Sequence, residues 1–559
     1  MTPRYPVREV PDALREHYRS HGYVTDEVVN LLLARSAERF PCRPAVIDVT
    51  GGGAVQLTYA ELFERACRVA AWLRAHEVAP GDVVLAQCPN AWELVVLSWA
   101  AWHVGAVLNP VVDIYRRHEL EQILDQTRPA AVATVEERRG HRHAAAFDDM
   151  LARLGQRPSA RLLLQGAERG WTTLSEAMAS DPARGTPGPV APDQPVLVLF
   201  TSGTTSAPKG AVHSSRTLVA DARQLGAAWG LTWADRIYLP VPVAHVTGVE
   251  FALVFPAYVA GSVVLSRVDV ADPEQAPREA AAYGVTAGGG VAGVPLLLDL
   301  YRRQGTIGIP LRTLVAGGQR VTEASLAPAE AAGLAPMRIY GMTECPSVTA
   351  SAACDPPEVR LRTDGRLGPG VECGAVDPDT RQPLPEGAEG ELRVRGPERM
   401  LCYLDEEATA AAIDAAGWFY TGDLGFVEGG CVTVTGRVKE IVNRGGEKFS
   451  TREIEEALET HPAILQAAVV AAPHHRLGEV PAAYVVLRPG AGRPPDETLA
   501  AHVLAAGLAR QKVPVHWRAV DTLPLTSTHK VRKFELAARL REELGHGQDG
   551  ESGNEEVER

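Results

Sequence analysis

The sequence predicts an α/β protein with a large N-terminal domain and a small C-terminal α+β domain. Apolar runs of strand length alternate with helical patterns between residues 58 and 316, which predicts mostly parallel sheets covered by helices. After about residue 372 the segments become short, alternating and rich in glycine and proline, which predicts a small antiparallel, barrel-like portion. A further helix and strand pattern begins near residue 438, so we expect domains at 1–437 and 438–545 and a disordered tail at 546–559.

Local signals mark the first elements of the alternation. Thr58-Tyr-Ala-Glu61 has the spacing of a capping box and predicts a helix to about residue 75. A proline and glycine turn precedes the apolar run 83–87, and a helical pattern over 92–103 is closed by Gly105. Further strands are predicted at 106–108, 130–135, 196–200, 237–240, 262–265 and 314–316. Because parallel strands need crossover connections, this alternation predicts helices on both faces of the sheets.

The C-terminal third changes period. Residues 391–395 and 431–435 alternate between apolar and polar side chains, which predicts antiparallel strands. Ser450 and Glu453 repeat the capping-box spacing and predict a helix to about residue 460. Strands are expected at 467–471 and 482–487.

Composition excludes several classes of protein. The 559 residues carry 56 Lys and Arg against 69 Asp and Glu, and this net charge of -13 offers no general field for a nucleic-acid backbone. The eight cysteines form no C-x-x-C pair, so we expect buried free thiols in a reducing cytoplasm. The longest apolar stretch, 94–112, is interrupted by a histidine, an asparagine and a proline, so no membrane span is predicted.

One loop has the composition of a phosphate cradle. Phe200-Thr-Ser-Gly-Thr-Thr-Ser-Ala-Pro-Lys-Gly210 directly follows an apolar strand and combines small residues, hydroxyl groups and one lysine. It is not a Walker A loop, because Lys209 is followed by glycine where that motif needs serine or threonine. Taken alone, the segment is equally compatible with a flexible solvent loop.

Four further motifs follow this loop in a fixed order. They are Tyr340-Gly-Met-Thr-Glu344, Tyr420-Thr-Gly-Asp423, Gly436-Arg437-Val-Lys439 and Pro524-Leu-Thr-Ser-Thr-His-Lys530. Together with the loop they resemble the signature series of the adenylate-forming superfamily, which includes acyl-CoA synthetases, luciferases and peptide-synthetase adenylation domains. The resemblance covers nearly the whole chain, and residues 109–119 resemble ligases for alicyclic and medium-chain acids.

The resemblance implies that the enzyme joins a carboxylic acid to AMP and then passes the acyl group to a thiol. Thr343 would contact the α-phosphate and Glu344 would hold Mg²⁺. Asp423 and Arg437 would bind the ribose, and Tyr340 would stack on adenine; a turn aspartate and a core aromatic are the structural alternatives. The other residues assigned to ATP or AMP are Thr201, Ser202, Gly203, Thr204, Thr205, Lys209, Gly317, Gly318, Gln319, Gly341 and Met342, with Arg320 ending the adenine edge.

The resemblance also assigns a mobile lysine, a hinge residue and the passage for the thiol. Lys530 would bridge the acyl carboxylate and the α-phosphate during adenylation, and Lys439 would be the hinge about which the C-terminal domain swings. Gly446 would line the pantetheine passage of coenzyme A. His245 would border the acid pocket, where a buried structural histidine is the alternative.

A glycine cluster at 288–293 formally satisfies G-x-G-x-x-G and opens a second enzyme class, an NAD-dependent oxidoreductase. The next predicted strand lacks the acidic residue that such a site needs. The resemblance instead places Gly288, Gly289 and Gly290, with Gly248, at the acid pocket. We expect the missing side chains of the cluster to leave a wide pocket for a bulky acid.

Two positions depart from the superfamily pattern. Ser206 and His529 stand where glycine is usual, and both would face the polyphosphate during adenylation. An alternative function follows, in which adenylation is impaired and the enzyme only makes thioesters from a supplied acyl-AMP. A non-catalytic adenylate-binding protein is a third possibility. A carrier-protein thiol in place of coenzyme A and a homodimer also remain open.

Overall fold

The computed structural model describes residues 5–8, 10–51, 53–201, 208–267, 272, 274–289, 311–318, 321, 323–331, 333–444, 447–474, 476–525 and 531–547. Its contacts divide the chain into two compact units. The first consists of Met1–Cys373, Arg393–Tyr420 and Glu428–Val432, and the second of Gly374–Leu392, Thr421–Val427 and Thr433–Arg559. The domain boundaries derived from the sequence stay predictions.

Helices account for much of both units. The α-helices span Asp12–Ser20, Val29–Arg39, Tyr59–Ala75, Trp92–Val104, Arg117–Thr127, His143–Leu154, Leu174–Ala177, Ser215–Ala228, Val246–Val249, Phe255–Val259, Gln275–Ala282, Glu323–Ala331, Pro357–Arg362, Glu406–Ala412, Thr451–Glu459, Asp496–Ala505 and Lys533–Gly547. Short 3-10 turns lie at Pro182–Gly185, Val438–Glu440 and Arg510–Lys512, and a π-helical turn covers Glu250–Val254.

The first sheet belongs to the first unit and is parallel except at one edge. In spatial order its described strands are Pro336–Ile339, Thr313–Gly317, Ala287–Gly289, Arg236–Leu239, Ser262–Leu265, Pro44–Asp48 and Val55–Thr58. Only the last pair among these strands is antiparallel, and the others run in parallel. The strand ends at Gly317 and Ile339 are paired, which places the start of the Tyr340 motif beside Gly317.

The second sheet of this unit carries the phosphate-loop hairpin. Its described strands run Cys402–Tyr403, Lys209–Ser214, Pro195–Thr201, Val107–Val111, Val83–Gln87, Ala131–Val135, Ala160–Gln165 and Thr172–Thr173. The first three are antiparallel neighbours, and the rest are parallel. The predicted α/β class is therefore confirmed for the large unit.

The core of the first unit is organised around Trp92–Val104. This helix is apolar on every face, and residues 94–104 are all buried. A helix without a polar face is stable only inside a protein, so its position follows from its sequence. Trp102 anchors it by donating its indole N–H to the carbonyl of Val196 at 2.9 Å.

The second unit is built on a five-stranded sheet among its described residues. The strands run Glu447–Ser450, Ile441–Arg444, Gly478–Leu487 and Ile464–His474, and His516–Ala519 pairs in parallel with Gly478–Leu487. Alternate side chains of Ile464–His474 enter two separate cores, one containing Val469 and the other Val470. This period of two explains why helices cover both faces.

Two smaller sheets complete the described strands. One has the order Glu372–Val376, Gly390–Arg395, Phe419–Glu428 and Cys431–Arg437, and the other pairs Glu137–Arg138 with His141–Arg142. No helix in the described part of the chain is both long and apolar enough to cross a bilayer.

Two local predictions have different outcomes. The capping box at Thr58 forms in full, with Glu61 accepting the Thr58 backbone N–H at 2.8 Å. At Ser450 the predicted helix forms over Thr451–Glu459, but the full capping box does not, because the Ser450 hydroxyl accepts the Arg452 N–H and Glu453 pairs with Lys512. A long-range ion pair has taken the place of the local hydrogen bond from Glu453.

The expectation for the cysteines needs a similar correction. All eight are free, but Cys42 and Cys354 are exposed and Cys373 is half-buried. The remaining five are buried, as expected.

Candidate nucleotide and acid site

The phosphate loop is held at both ends by a hairpin. Its flanking strands pair Thr201 with Lys209, so the two ends of the loop are neighbours across an antiparallel ladder. The predicted loop residues Ser202, Gly203, Thr204 and Thr205, together with Ser206, lie outside the described residues. The two strands of the hairpin therefore fix the positions of Thr201 and Lys209, the residues on either side of the undescribed segment.

A tyrosine links Lys209 to Glu344. The Lys209 Nζ lies 5.2 Å from the ring centroid of Tyr403, and the Tyr403 hydroxyl donates to Glu344 Oε1 at 2.6 Å. Burial and the charge of Glu344 raise the pKa of Tyr403, so its hydroxyl stays a donor. Tyr403 reaches this place because its two-residue strand pairs with the strand that Lys209 starts. The predicted phosphate lysine and metal carboxylate thus meet around one residue that the sequence analysis missed.

A second missed residue, His213, orients Thr343. The His213 Nε2 donates to the backbone carbonyl of Thr343 at 2.7 Å. His213 is fully buried, and this burial lowers its pKa to about 4, so the ring is neutral at physiological pH. A neutral ring with one N–H can hold the carbonyl without placing a buried charge beside the phosphate contact.

The predicted Tyr340-Gly-Met-Thr-Glu344 segment folds into a tight turn. The backbones of Met342 and Cys345 exchange hydrogen bonds at 2.9 and 3.2 Å, which places Thr343 and Glu344 at the tip. A Cβ on Gly341 would lie 2.0 Å from the carbonyl oxygen of Pro346, so only glycine fits there. Tyr340 is 9% exposed, and its N–H donates to Thr349 Oγ1 at 2.7 Å.

The predicted adenine edge adjoins Tyr340. Gly317 ends its strand next to Ile339, and a Cβ there would lie 2.6 Å from the Ile339 carbonyl oxygen. Gly318 follows with a φ of +80°, a conformation that favours glycine. Gln319 and Arg320 lie outside the described residues. Gly317, Gly318 and Tyr340 are therefore brought together as the sequence predicts.

The two predicted ribose ligands lie together in the second unit. Asp423 is buried and pairs with Arg437, with 2.9 Å between Asp423 Oδ1 and the Arg437 Nε. The Asp423 N–H donates to Thr421 Oγ1 at 3.0 Å, which fixes the turn. A carboxylate paired with an arginine can also accept hydrogen bonds from hydroxyl groups.

The predicted acid-pocket residues give a mixed result. His245 caps the helix Val246–Val249, since its Nδ1 accepts the Thr247 N–H at 3.3 Å. A Cβ on Gly248 would lie 2.0 Å from the Pro242 carbonyl oxygen, and one on Gly289 would lie 2.5 Å from that of Val315. The expectation that the glycine cluster leaves open space is therefore wrong at Gly289, because the neighbouring strand fills the place of its side chain.

The remaining residues of that cluster are only partly described. Gly288 is the central residue of the strand Ala287–Gly289, and Tyr238 and Leu314 lie beside it in the sheet. Gly290 and the rest of the cluster to residue 293 lie outside the described residues. The wide pocket thus has no support from the described glycines.

Of the residues predicted as the hinge, the coenzyme A passage and the mobile lysine, one lies among the described residues. Lys439 is central in the 3-10 turn Val438–Glu440, whereas Gly446, His529 and Lys530 lie outside the described residues. An antiparallel bridge between Leu525 and Val531 closes the segment that contains Lys530.

Lys533, which was not predicted from the sequence, connects the turn that contains Lys439 with two helices of the second unit. Its Nζ lies 2.6 Å from Glu440 Oε2, 2.8 Å from Glu455 Oε1 and 3.0 Å from Thr451 Oγ1. Burial alone would lower the pKa of Lys533, but the charges of Glu455 and Glu440 raise it above its ordinary value. The residue after the hinge position is therefore tied to the helix that follows Lys530.

The donor set at Glu344 suits a metal that arrives with its substrate. In the described part of the chain, no three histidine, cysteine, aspartate or glutamate side chains cluster as ligands for a metal ion. Mg²⁺ is commonly held by one or two carboxylates together with substrate phosphates, and Glu344 near Lys209 offers such a carboxylate.

The sequence matches two family models in the expected order. Residues 33–404 match the family described as AMP-binding enzyme, and residues 453–530 match the AMP-binding enzyme C-terminal domain. The chain is 31% identical over 532 residues to the medium-chain fatty-acid–CoA ligase of Escherichia coli K12, covering 93% of this chain and 92% of that protein.

A salicylate-activating relative and a solved structure agree with this. The salicyl-AMP ligase / salicyl-S-ArCP synthetase of Mycobacterium tuberculosis is 32% identical over 545 residues, covering 94% of this chain and 92% of that protein. The crystal structure of ATP-bound MatB from Rhodopseudomonas palustris superposes with a TM-score of 0.80 at 28% identity, covering 92% of this chain and 99% of that one.

Proposed function

The chain belongs to the AMP-binding enzyme family and is an AMP-forming acid–thiol ligase that acts through an acyl-adenylate, and we propose which of its residues perform each step. The observation that carries the proposal is the contact series from Lys209 through Tyr403 to Glu344. It joins a cation, a donor and a carboxylate at the base of the phosphate loop, where ATP must be both bound and neutralised.

The acyl transfer needs an activated acid because oxide is a very poor leaving group and AMP is a good one. We infer that Lys209 and the loop hydroxyl groups hold the β- and γ-phosphates, and that Thr343 contacts the α-phosphate. His213 keeps the Thr343 backbone in place for that contact. Fixed donors aimed at developing charge stabilise the transition state without reorganisation.

Glu344 would hold Mg²⁺, which when bound would reduce the charge on the pyrophosphate leaving group. The Tyr403 hydroxyl occupies Oε1 of Glu344 and so restricts the rotation of that carboxylate. Tyr340 would stack on adenine beside Gly317 and Gly318, while Asp423 and Arg437 would bind the ribose. Neither the relatives named above nor the described glycines support the alternative of an NAD-dependent oxidoreductase.

The second step uses residues of the second unit. We infer that Lys530 serves adenylation, and that movement about Lys439 exchanges it for the passage that Gly446 lines for coenzyme A. The bridge between Leu525 and Val531, with the ion pairs of Lys533, supports this because it holds both ends of the Lys530 segment.

The substrate class is inferred from the relatives. The E. coli relative is named for medium-chain fatty acids, and the Mycobacterium relative for salicylate. We propose a bulky acid in the same size range and coenzyme A as the acceptor. We place the reaction in the cytoplasm, where the exposed thiols of Cys42 and Cys354 would stay reduced.

The two half-reactions are tested separately. Wild type should exchange labelled pyrophosphate into ATP in the presence of an acid, and should form acyl-CoA from synthetic acyl-AMP. Glu344→Gln should lower the exchange about 100-fold or more, because it removes the carboxylate for the metal. Glu407→Gln, an exposed change in the same unit, should leave both rates unchanged.

The alternatives predict different patterns. Thioester formation without exchange would identify an enzyme that uses only a supplied acyl-AMP, the outcome that Ser206 and His529 suggest. Loss of both reactions with all acids and thiols would overturn the proposed function. Exchange with thioester formation only on a carrier protein would replace coenzyme A as the acceptor.

A further inference from the structure

Two helices that begin at the candidate site each bury a carboxyl group. Asp221 lies in the helix Ser215–Ala228, which directly follows the strand of His213, and it is 0% exposed. Glu250 is the first residue of the π-helical turn that follows the short helix capped by His245, and it is 3% exposed. π-helical turns are rare and are frequently found at functional sites.

Neither carboxyl group forms an ion pair with a cation among the described residues. Oδ1 and Oδ2 of Asp221 and Oε1 and Oε2 of Glu250 are all buried, and no hydrogen bond of ordinary geometry reaches them. The Ser347 side chain still interacts with Asp221 and lowers its pKa, but burial outweighs this and raises that pKa to about 7. More than nine-tenths of buried polar groups in proteins are bonded, so two adjacent exceptions need an explanation.

The helix that carries Asp221 packs against the π-helical turn that carries Glu250, so the two carboxyl groups can influence each other's ionisation. After burial, the charge of Asp221 is the cause that raises the pKa of Glu250, and Asp221 also adds to the raised pKa of Glu398. The nearby Arg399 acts on Glu398, and among the described residues no lysine or arginine forms an ion pair with Asp221 or Glu250. Acidic groups therefore exceed cations in this part of the interior.

The pair borders the segment that carries the reacting phosphate. Gln224, one helical turn after Asp221, donates its Nε2 to the carbonyl of Ser347 at 2.9 Å. Ser347 comes three residues after Glu344, and Glu250 comes five residues after His245. Asp221 and Glu250 therefore lie on elements that contact the segment of Thr343 or continue the helix capped by His245.

We propose that Asp221 and Glu250 receive a basic nitrogen, such as an amine or amidine, at the far end of the substrate acid. This proposal rests on the proposed adenylation of an organic acid in the first unit. An incoming cation would supply the charge and donors that both carboxylates lack, as buried charges require. A metal ion is disfavoured, because the described residues offer no third ligand.

The same arrangement would exclude acids without such a group. An apolar end would leave both carboxyl groups buried and unbonded, which lowers the affinity for the wrong substrate. Sites built around hydrogen bonds discriminate more strongly than apolar pockets do, and a preference of about 100-fold or more is expected.

The test compares acids that differ only at the far end. Pyrophosphate exchange is measured with 4-(aminomethyl)benzoate against 4-ethylbenzoate, and with ω-amino acids of graded length against fatty acids of equal heavy-atom number. For at least one pair, wild type should prefer the amine by about 100-fold or more in kcat/KM. Glu250→Gln and Asp221→Asn should each reduce this preference to about tenfold or less.

Controls separate recognition from folding. Glu279→Gln changes a carboxyl group that is bonded to Tyr238 and Ser266, and it should keep the wild-type preference. Continued exchange of the non-basic acid by Glu250→Gln and Asp221→Asn would show that both variants fold. Equal use of both members of every pair by wild type would overturn the proposal.

A binding measurement keeps the proposal testable if no acid supports exchange. Sulfamoyl-adenosine analogues of the same paired acids are titrated by calorimetry into the full chain. Tighter binding of the amine-bearing analogue, lost in Glu250→Gln, would support the proposal even though the proposed function had failed. Equal binding of the two analogues would overturn it.

Discussion

The second unit and the first unit bury charge in opposite ways. In the second unit, Lys533 sits between Glu440 and Glu455 with contacts of 2.6 and 2.8 Å. In the first unit, Asp221, Glu250 and Glu398 are equally buried, and no lysine or arginine among the described residues forms an ion pair with them. The charges around Lys533 neutralise one another, whereas the carboxyl groups of the first unit must be protonated or bind a ligand.

This difference in pairing distinguishes charged residues that stabilise the fold from those that we assign to ligand binding. A charge that a protein pairs internally holds two segments together, as Lys533 does for the hinge turn and the C-terminal helix. A carboxyl group buried without a partner costs stability, so we attribute its presence to something it binds. Burial accordingly raises the pKa of Glu398 to about 8, and that of Asp221 to about 7.

The largest expected effect comes from breaking the paired cluster. Lys533→Met would leave Glu440 and Glu455 without their cation and should lower the free energy of unfolding of the second unit by about 3–4 kcal/mol. Lys533→Arg should recover most of this loss. Chemical denaturation followed by a probe in the second unit measures both, and a loss under 1 kcal/mol in Lys533→Met would contradict the scaffold role.

The unpaired cluster should make the stability of the protein fall as the pH rises. The pKa of Glu398 is raised by burial from its ordinary 4.5 to about 8, so the unfolded chain ionises first as pH rises. Its stability contribution is complete below about pH 4.5 and is lost up to about pH 8. The stability advantage of Glu398→Gln over wild type should therefore be about 3–4 kcal/mol larger at pH 8 than at pH 5.

Denaturation curves at the two pH values test this prediction. Glu407→Gln, an exposed change, should show the same pH dependence as wild type. An unchanged difference between pH 5 and pH 8 in Glu398→Gln would mean that this carboxyl group is already ionised or bonded in the folded protein.

The hydrogen bond between Tyr403 and Glu344 lies between these two cases. The Glu344 carboxylate has a partner within the protein, and we also propose it as the ligand for Mg²⁺. Tyr403→Phe removes the donor at 2.6 Å and should lower kcat/KM for pyrophosphate exchange about tenfold, with little change in stability. Tyr59→Phe is the matched control, because its hydroxyl bonds the Pro256 carbonyl away from the site. A control that loses as much activity as Tyr403→Phe would remove the assigned role.

The smallest expected effect is the loss of stability when a surface helix cap is removed. Thr58→Ala removes a surface capping box and should cost about 1 kcal/mol of stability. Thermal melting measures the loss, and pyrophosphate exchange should be unchanged. Thr173→Ala removes the equivalent box at another helix and should behave in the same way.

The sequence predicted what depends on neighbours along the chain. The helix after Thr58 and the buried helix Trp92–Val104 were predicted because their signals are local. The order of motifs was sufficient to identify the adenylate-forming superfamily. The phosphate, adenine and ribose residues assigned with it stay predictions.

The missed residues depend on contacts between distant parts of the chain. Tyr403 bonds a residue 59 positions away, and His213 bonds one 130 positions away. Glu453 left its predicted cap for Lys512, also 59 positions away. Gly289 has no side chain because a neighbouring strand approaches closely, which a glycine pattern does not distinguish from open space.

Difference infrared spectroscopy tests the contrast between the two clusters most directly. The carbonyl band of a protonated carboxyl group is recorded before and after the amine-bearing adenylate analogue binds. The account predicts that this band weakens as the site fills, that Glu250→Gln reduces the change, and that the ethyl analogue leaves the band in place. An unchanged band with a saturating amine-bearing analogue would contradict the assignment of the buried acids to the substrate.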